Sequence, residues 1–438
     1  MTRTASKTTG YAWAVVALLW PVAMLNYLDR QMLSTVRASI RADIPSIAND
    51  AQFGVVMALF MWSYAFLSPL GGYVADRFNR RWTVIGSLFV WSAVTWLTGH
   101  AHTYGEMKFF RTLMGVSEAC YIPAALALIA DFHSGGTRAR AVGIHQSGIY
   151  AGLALGGIGG YIAQMSTWRN CFTWFGAVGV AYAVVLMLTL RDAPSVAGAN
   201  RRNQPPVTIA GTVRALWTQP AFWILVVYFT LPAVGGWVVK NWLPTFLADT
   251  YHLKEGPAGF SATLYVQVAA FAGVLLGGAL ADRWMATSIR GRIYTSALGT
   301  ALCVPAFLGL GGACSIGSAG IAGTAWSIGV AIVFMVLFGI GWGFYDCNNM
   351  PILCQIARPE HRATGYGFMN LASTAVGGGA TVILGWMRDA GYSFAVAFAL
   401  CAILCAVSAA MVLFIRPKNM EERVLAADAA QAPDGSRG

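Results

Sequence analysis

Twelve apolar runs, each about 20 residues or more, fill most of this 438-residue chain and leave only 11% of it charged. A soluble domain carries roughly 25% charged residues. Runs of this length reach across the hydrocarbon core of a bilayer, where every backbone N–H and C=O needs an internal partner. They are too long for barrel strands and do not alternate apolar with polar residues, so they read as helices. They lie near 12–36, 51–75, 82–99, 105–131, 139–164, 170–190, 220–248, 257–281, 293–313, 323–356, 363–387 and 393–415. In that order they are spans 1 to 12. The expected fold is an all-α membrane protein of twelve transmembrane helices. The first run follows Arg3 and Lys7 as a signal peptide would, but no small-residue cleavage site comes after it. It reads as an uncleaved first span.

The runs are duplicated. Gly71-Gly-Tyr-Val-Ala-Asp76-Arg77 recurs as Gly277-Gly-Ala-Leu-Ala-Asp282-Arg283, an offset of 206. Arg140-Ala-Val-Gly143 and Arg362-Ala-Thr-Gly365 form a second pair. Two membrane repeats of this kind mark transporter folds, with the substrate site at the repeat interface. The expected organisation is an N-terminal six-helix bundle over 1–190, a cytoplasmic linker over 191–219, a pseudo-symmetric C-terminal bundle over 220–416 and a cytoplasmic tail over 417–438. The linker is rich in Pro, Ala and Arg and reads as partly flexible. A short helix is expected at Met420–Ala430 of the tail.

Twenty of the 29 Lys and Arg residues fall in segments that are cytoplasmic if both termini are, and six fall in the opposite loops. That asymmetry orients the chain. The net charge of +11 therefore reports topology and anionic lipid rather than nucleic acid. The eight cysteines are scattered without a CxxC pair, so free packed thiols and no metal are expected. No nucleophile–base pair or nucleotide loop is present, and neither an enzyme nor a cofactor is expected.

The other three basic residues, Arg30, Arg111 and Lys240, fall inside spans. A charge at mid-membrane costs about 2.5–3.5 kcal/mol on insertion scales, so each needs a partner or a task. In span 1, Asn26, Tyr27, Arg30 and Ser34 follow helical spacing and make one polar stripe, while Asp29 points about 100° away from Arg30. Span 4 carries Arg111 and Glu118, on one face and roughly 10 Å apart. A carboxylate in the bilayer interior is a candidate proton carrier, because a proton removes the cost of burying its charge. Lys240 in span 7 opens the second repeat as Arg30 opens the first. Two such cations facing one cavity suit an anion; the bland alternative is a lysine snorkelling outward. Span 10 holds Asp346, Asn348 and Asn349. Asp346 is placed to neutralise Lys240 in an empty site. It stands 16 residues before Arg362, against 22 between Glu118 and Arg140, so the two acids differ in depth. Tyr64, His145, Gln146, Tyr150 and Asn370 complete the inward polar set. The glycines Gly148, Gly152, Gly156, Gly157, Gly159 and Gly160, with Gly377, Gly378 and Gly379, read as close-packing surfaces.

The loop Gly72-Tyr-Val-Ala-Asp76-Arg77-Phe-Asn79-Arg80-Arg81 resembles the signature loop of the major facilitator superfamily, with Asn79 where Gly is usual. Asn26-Tyr27-Leu28-Asp29-Arg30 and Arg111…Gly115…Glu118-Ala119…Pro123 resemble the anion:cation symporter family within it. That resemblance implies proton-coupled symport of an organic anion, a sugar acid or small carboxylate, by alternating access. It implies proton-linked acids at Asp29 and Glu118 and substrate contacts at Arg30, Tyr64 and Asn370. A glutamine usual in span 5 is replaced by Ile149, with Gln146 a turn earlier. The full expected substrate set is Tyr27, Arg30, Tyr64, Gln146, Lys240, Asn348 and Asn370, with Arg111 and Asp346 as buried charge partners. Asp76, Arg77, Arg80, Arg81, Asp282 and Arg283 are expected to gate the cytoplasmic side. The expected setting is a bacterial inner membrane, and the expected state a monomer. Spans 1 and 4 also resemble the spinster-like lipid transporters, which implies an amphiphilic substrate such as a lysolipid. A proton-coupled efflux antiporter and a non-transporting membrane sensor are the remaining alternatives; the antiporter Gly-Pro signature lacks its proline at Gly157.

Overall fold

The computed structural model describes residues 10–133, 136–192, 209–318, 324–358 and 361–417. In repeat 1, span 1 is Gly10–Thr35, followed by a short helix, Arg37–Asp43. Spans 2 and 3 are Asp50–Arg77 and Arg80–Thr98, and span 6 is Trp168–Thr189. Span 4 runs as Tyr104–Glu118 then Tyr121–Phe132, and span 5 as Gly136–Leu155 then Ile158–Met165. A linker helix, Ile209–Trp217, leads into repeat 2. There span 7 is Pro220–Tyr251, span 8 Glu255–Met285, span 9 Gly291–Ser318, span 11 Arg362–Asp389 and span 12 Phe394–Val412. Span 10 runs as Thr324–Asp346 then Asn349–Ile356. Ten of these helical stretches are long and apolar enough to cross a membrane. Spans 3 and 5 are more polar, with Arg80 and Arg81 opening one and Arg138, Arg140 and His145 in the other. Most of the linker, 193–208, and the tail with its expected helix at Met420–Ala430 lie outside the described residues.

Three spans are broken where the sequence removes or loosens a backbone hydrogen bond. Pro123 has no N–H for the Ala119 carbonyl, and Pro351 none for that of Cys347; span 5 breaks at Gly156-Gly157. Two of the breaks fall directly after an acid, since Glu118 and Asp346 each close the first half of their span. The helix starts are capped by local chemistry. Thr103 and Glu106 form a reciprocal capping box at span 4. The Asn79 side chain accepts from the Trp82 N–H and starts span 3, which explains Asn in place of Gly there.

Within each repeat the packing is the same. Span 1 packs on 5, 2 on 4 and 3 on 6, as 7 packs on 11, 8 on 10 and 9 on 12. The repeats meet along spans 2 and 11 and along spans 5 and 8. At both seams a glycine lets backbones touch: a Cβ at Gly160 would overlap Glu255, and one at Gly385 would overlap Asp50.

These contacts gather toward the face opposite the linker, the far face. There Asp50 accepts hydrogen bonds from Arg37 at 2.9 Å and Arg41 at 2.7 Å within repeat 1, and from Arg388 of repeat 2 at 2.7 Å. Arg388 also reaches Asp249 at 2.5 Å. Asp389 accepts the Asp50 and Ala51 N–H groups at the start of span 2, and Glu255 accepts the Ser39 N–H at 2.9 Å. The linker side is different. Arg80 pairs with Asp131, Arg81 donates to the Met187 carbonyl, and Arg292 pairs with Asp282 at 2.9 Å, each within one repeat. Among the described residues, the ion pair between the repeats, Arg388 to Asp50, lies at the far face.

Candidate substrate cavity

Between the repeats lies a cavity of about 300 Å³ lined by spans 1, 2, 4, 5, 7, 8, 10 and 11. Six of the seven expected substrate residues line it: Tyr27, Arg30, Tyr64, Gln146, Lys240 and Asn370. Asn348 does not. It is fully buried in the break of span 10, where its amide donates to the Phe344 carbonyl and its oxygen accepts from Arg292 of span 9 at 3.4 Å. The turn after Asp346 swings it away from the cavity.

Arg30 is the best-held group. Its Nε donates to Glu118 Oε2 at 2.6 Å, and its guanidinium lies over the rings of Tyr27, Tyr64 and Phe60 at 4.5, 4.5 and 4.9 Å. Glu118 is completely shielded from solvent. Asn26, equally buried, is its other hydrogen-bonding side-chain neighbour. Asp29 faces away from the cavity, accepting from Thr95 of span 3 at 3.3 Å. Arg111 is 2% exposed and contacts the Met114 sulfur and the Phe60 ring. It also borders a smaller chamber of about 30 Å³, shared with Arg30, Gln31, Ser34, Lys240 and Asn241.

Lys240 points inward, not to the membrane surface. Its ammonium lies over Trp237 at 4.8 Å and Trp342 at 5.5 Å, and its carbonyl accepts from Gln31 of span 1 at 2.7 Å. The expected neutralisation by Asp346 is not a direct ion pair. Asp346 instead accepts from Tyr150 of the other repeat at 3.2 Å. Packing explains this. Gly115 sits on Phe60, Ser63 and Tyr64 of span 2, and Gly339 sits on Val266, Ala269 and Ala270 of span 8. Those triplets are related by the same offset of 206 as the repeated motif. Counted from these glycines, the place of Glu118 is taken by Trp342, and Asp346 stands one turn beyond, roughly 6 Å nearer the linker side.

His145 is a buried packing residue bonded to the Tyr121 hydroxyl at 2.9 Å. Of the expected gate, the side chains of Asp76 and Arg77 lie outside the described residues; Arg80, Arg81 and Asp282 make the within-repeat contacts given above, and Arg283 is exposed. The residues that sequence reasoning missed are mostly aromatic: Trp237, Trp342, Tyr345, Tyr366 and Phe229, with Gln267. Aromatic side chains within apolar spans carry no periodic signal that separates a cavity wall from packing.

Relatives agree with this architecture. The chain is 26% identical over 390 residues to protein spinster of Drosophila melanogaster, covering 86% of this chain and 62% of that protein. It is 25% identical over 413 residues to a probable L-galactonate transporter of Escherichia coli, covering 91% and 88%. A crystal structure of a bacterial homologue of the human lysosomal transporter spinster, inward-facing and unoccupied, superposes with a TM-score of 0.70 at 20% identity, covering 94% and 95% of the two chains. The family model described as Major Facilitator Superfamily matches residues 19–382, and the chain, a multi-pass membrane transporter, belongs to that superfamily.

Proposed function

We propose that this transporter carries an organic anion, a sugar acid or small carboxylate, together with protons by alternating access. The carrying observation is that Arg30 and Lys240, from the first span of each repeat, enter one cavity, with Arg30 already bound to a sealed acid. Coupling follows from that pair. While Glu118 is ionised it occupies the Arg30 guanidinium. A proton on Glu118 dissolves the pair and leaves Arg30 to a substrate carboxylate, so proton and anion bind together. Asp29 is the second candidate proton carrier. Gln146 and Asn370 supply amides for hydroxyls, and Arg111 adds positive potential from the side chamber.

On this reading the linker side is cytoplasmic, by its excess of Lys and Arg, and both termini lie there, in a bacterial inner membrane. The far face is the closed outer gate of an inward-open state. The loops around 76–81 and 282–292 are the inner latch of the opposite state. The carrier works as a monomer.

A second reading, an amphiphilic substrate such as a lysolipid, is favoured by the aromatic rings of Tyr150, Phe229, Trp237, Trp342, Tyr345 and Tyr366. A thermal-shift screen of purified protein separates the two. Sugar acids or small carboxylates should raise Tm in wild type and not in Arg30→Ala. Stabilisation by lysolipids alone would reject the first reading in favour of the second.

A further inference from the structure

The linker helix Ile209–Trp217 ends three residues before span 7 begins and packs on spans 7 and 11. Between these elements lies a groove of about 150 Å³, separate from the central cavity. Its walls are Leu216, Phe222, Val226, Phe368, Leu371 and Ala372, and its rim is Trp217 and Trp223. The walls carry no polar side chain. Of the two indole N–H donors at the rim, that of Trp223 is already used on the Trp217 carbonyl at 3.0 Å. A ligand seated against the walls gains contact and excluded volume but no hydrogen bond from them.

Position narrows the occupant further. The groove sits at the start of span 7, the end of that span at which the apolar run gives way to the linker, and so at the depth where hydrocarbon meets headgroups. The two rim indoles, 61% and 37% exposed, pack edge to face at 4.5 Å. Indoles favour that depth. Arg214, one turn before the rim on the linker helix, is exposed, and Arg201 and Arg202 precede it in sequence. Basic side chains at a membrane surface attract anionic lipid.

We propose that this groove holds an acyl chain of an anionic phospholipid from the leaflet on the linker side, with its phosphate at Arg214. The site has a structural consequence. Spans 7 and 11 also wall the cavity, so Val226 and Ala372 face the groove while Phe229, Asn370 and Ser373 face the substrate space. A seated chain fastens the linker helix to repeat 2 and stiffens the partition between cavity and bilayer.

The test uses the full chain in nanodiscs with phosphatidylglycerol carrying a diazirine in its acyl chain, and the matching phosphatidylcholine. Crosslinks should concentrate on peptides covering 216–226 and 368–372. The glycerol lipid should label about fivefold more strongly, the effect of one basic side chain at an anionic surface. Ala372→Trp fills the groove and should abolish that labelling. Arg214→Glu, a change at an exposed position, should leave the fold intact and remove the headgroup preference. Labelling spread evenly over all lipid-facing spans, or unchanged in Ala372→Trp, would overturn the site. Equal labelling by the two lipids in wild type would overturn its anionic part. None of these outcomes depends on the transported substrate.

Discussion

The two repeats build their halves of the cavity from the same spans and reach opposite electrostatic solutions. In repeat 1 the cation and the acid touch, with Arg30 bonded to Glu118 at 2.6 Å and the acid sealed from solvent. In repeat 2 the position equivalent to Glu118 is Trp342, and Lys240 lies over its ring instead of over a carboxylate. Asp346, one turn further on, is open to the cavity and held by Tyr150. Removing one member of a buried ion pair costs about 3–5 kcal/mol. A cation on an aromatic face contributes about 0.5–2 kcal/mol. Repeat 1 therefore holds a charge pair that a proton can break, which suits coupling. Repeat 2 holds a cation that is loosely engaged, which suits gripping an anion.

The largest effect should come from breaking the tight half. Arg30→Ala leaves Glu118 buried and unpaired, so we expect a loss of stability of about 3–5 kcal/mol and no anion binding. Arg30→Lys should restore part of both, since a lysine lacks the planar fork that grips a carboxylate. Thermal unfolding and ligand-induced Tm shifts measure the two effects. Wild-type anion binding by Arg30→Ala would move the site to repeat 2 alone.

Glu118→Gln changes the same pair without emptying it. The amide mimics a protonated acid and cannot release its proton. Proteoliposomes carrying it should exchange substrate across the membrane at a rate like wild type yet fail to accumulate it under a proton gradient. If accumulation persists with normal pH dependence, Asp29 carries the proton.

The far face extends the contrast. There Asp50, itself 4% exposed, pairs with Arg37 and Arg41 of its own repeat and with Arg388 of the other. Asp50→Asn leaves Arg37 and Arg41 without their counter-charge and Arg388 with Asp249 alone. It should shift the population toward the outward-open state by about 1–3 kcal/mol, the usual size of such couplings. Labelling of a cysteine introduced near Tyr150 would then slow from the linker side. An unchanged rate would mean that the glycine seams alone hold the far face shut.

How much of this was legible in the sequence follows the same division. Spans appear as long apolar runs because the bilayer imposes them, and the predicted bounds fall within a few residues of the helices. The helix breaks were not read from Pro123 and Pro351, although both prolines stand five residues after an acid. Arg30, Glu118 and Lys240 stood out because a charge in a span is costly and conspicuous. Which cation meets which acid depends on depth. The distances of 16 and 22 residues to the next arginine indicated unequal depths but could not say that Trp342 would take the place of Glu118. Asn348 was misplaced for the same reason, since a turn in the backbone redirects a side chain that uniform helical spacing assigns to the cavity.

The smallest effect sharpens the comparison most. If Lys240 and Asp346 were a direct pair like Arg30 and Glu118, removing Lys240 alone would strand a buried charge, and Lys240→Ala would destabilise more than Lys240→Ala with Asp346→Ala. The structure argues for weak coupling. Asp346 keeps its hydrogen bond from Tyr150 and its exposure to the cavity, and Lys240 rests on two indoles. A double-mutant cycle on thermal stability should give a coupling energy near the exposed-pair range, about 0.2–1 kcal/mol. The same cycle on Arg30 and Glu118 should give several times more. Substrate affinity should still fall in both lysine variants, because the second cation is gone. A coupling of several kcal/mol between Lys240 and Asp346 would mean that the two repeats store charge alike. Intact affinity in Lys240→Ala would leave the anion to Arg30 alone.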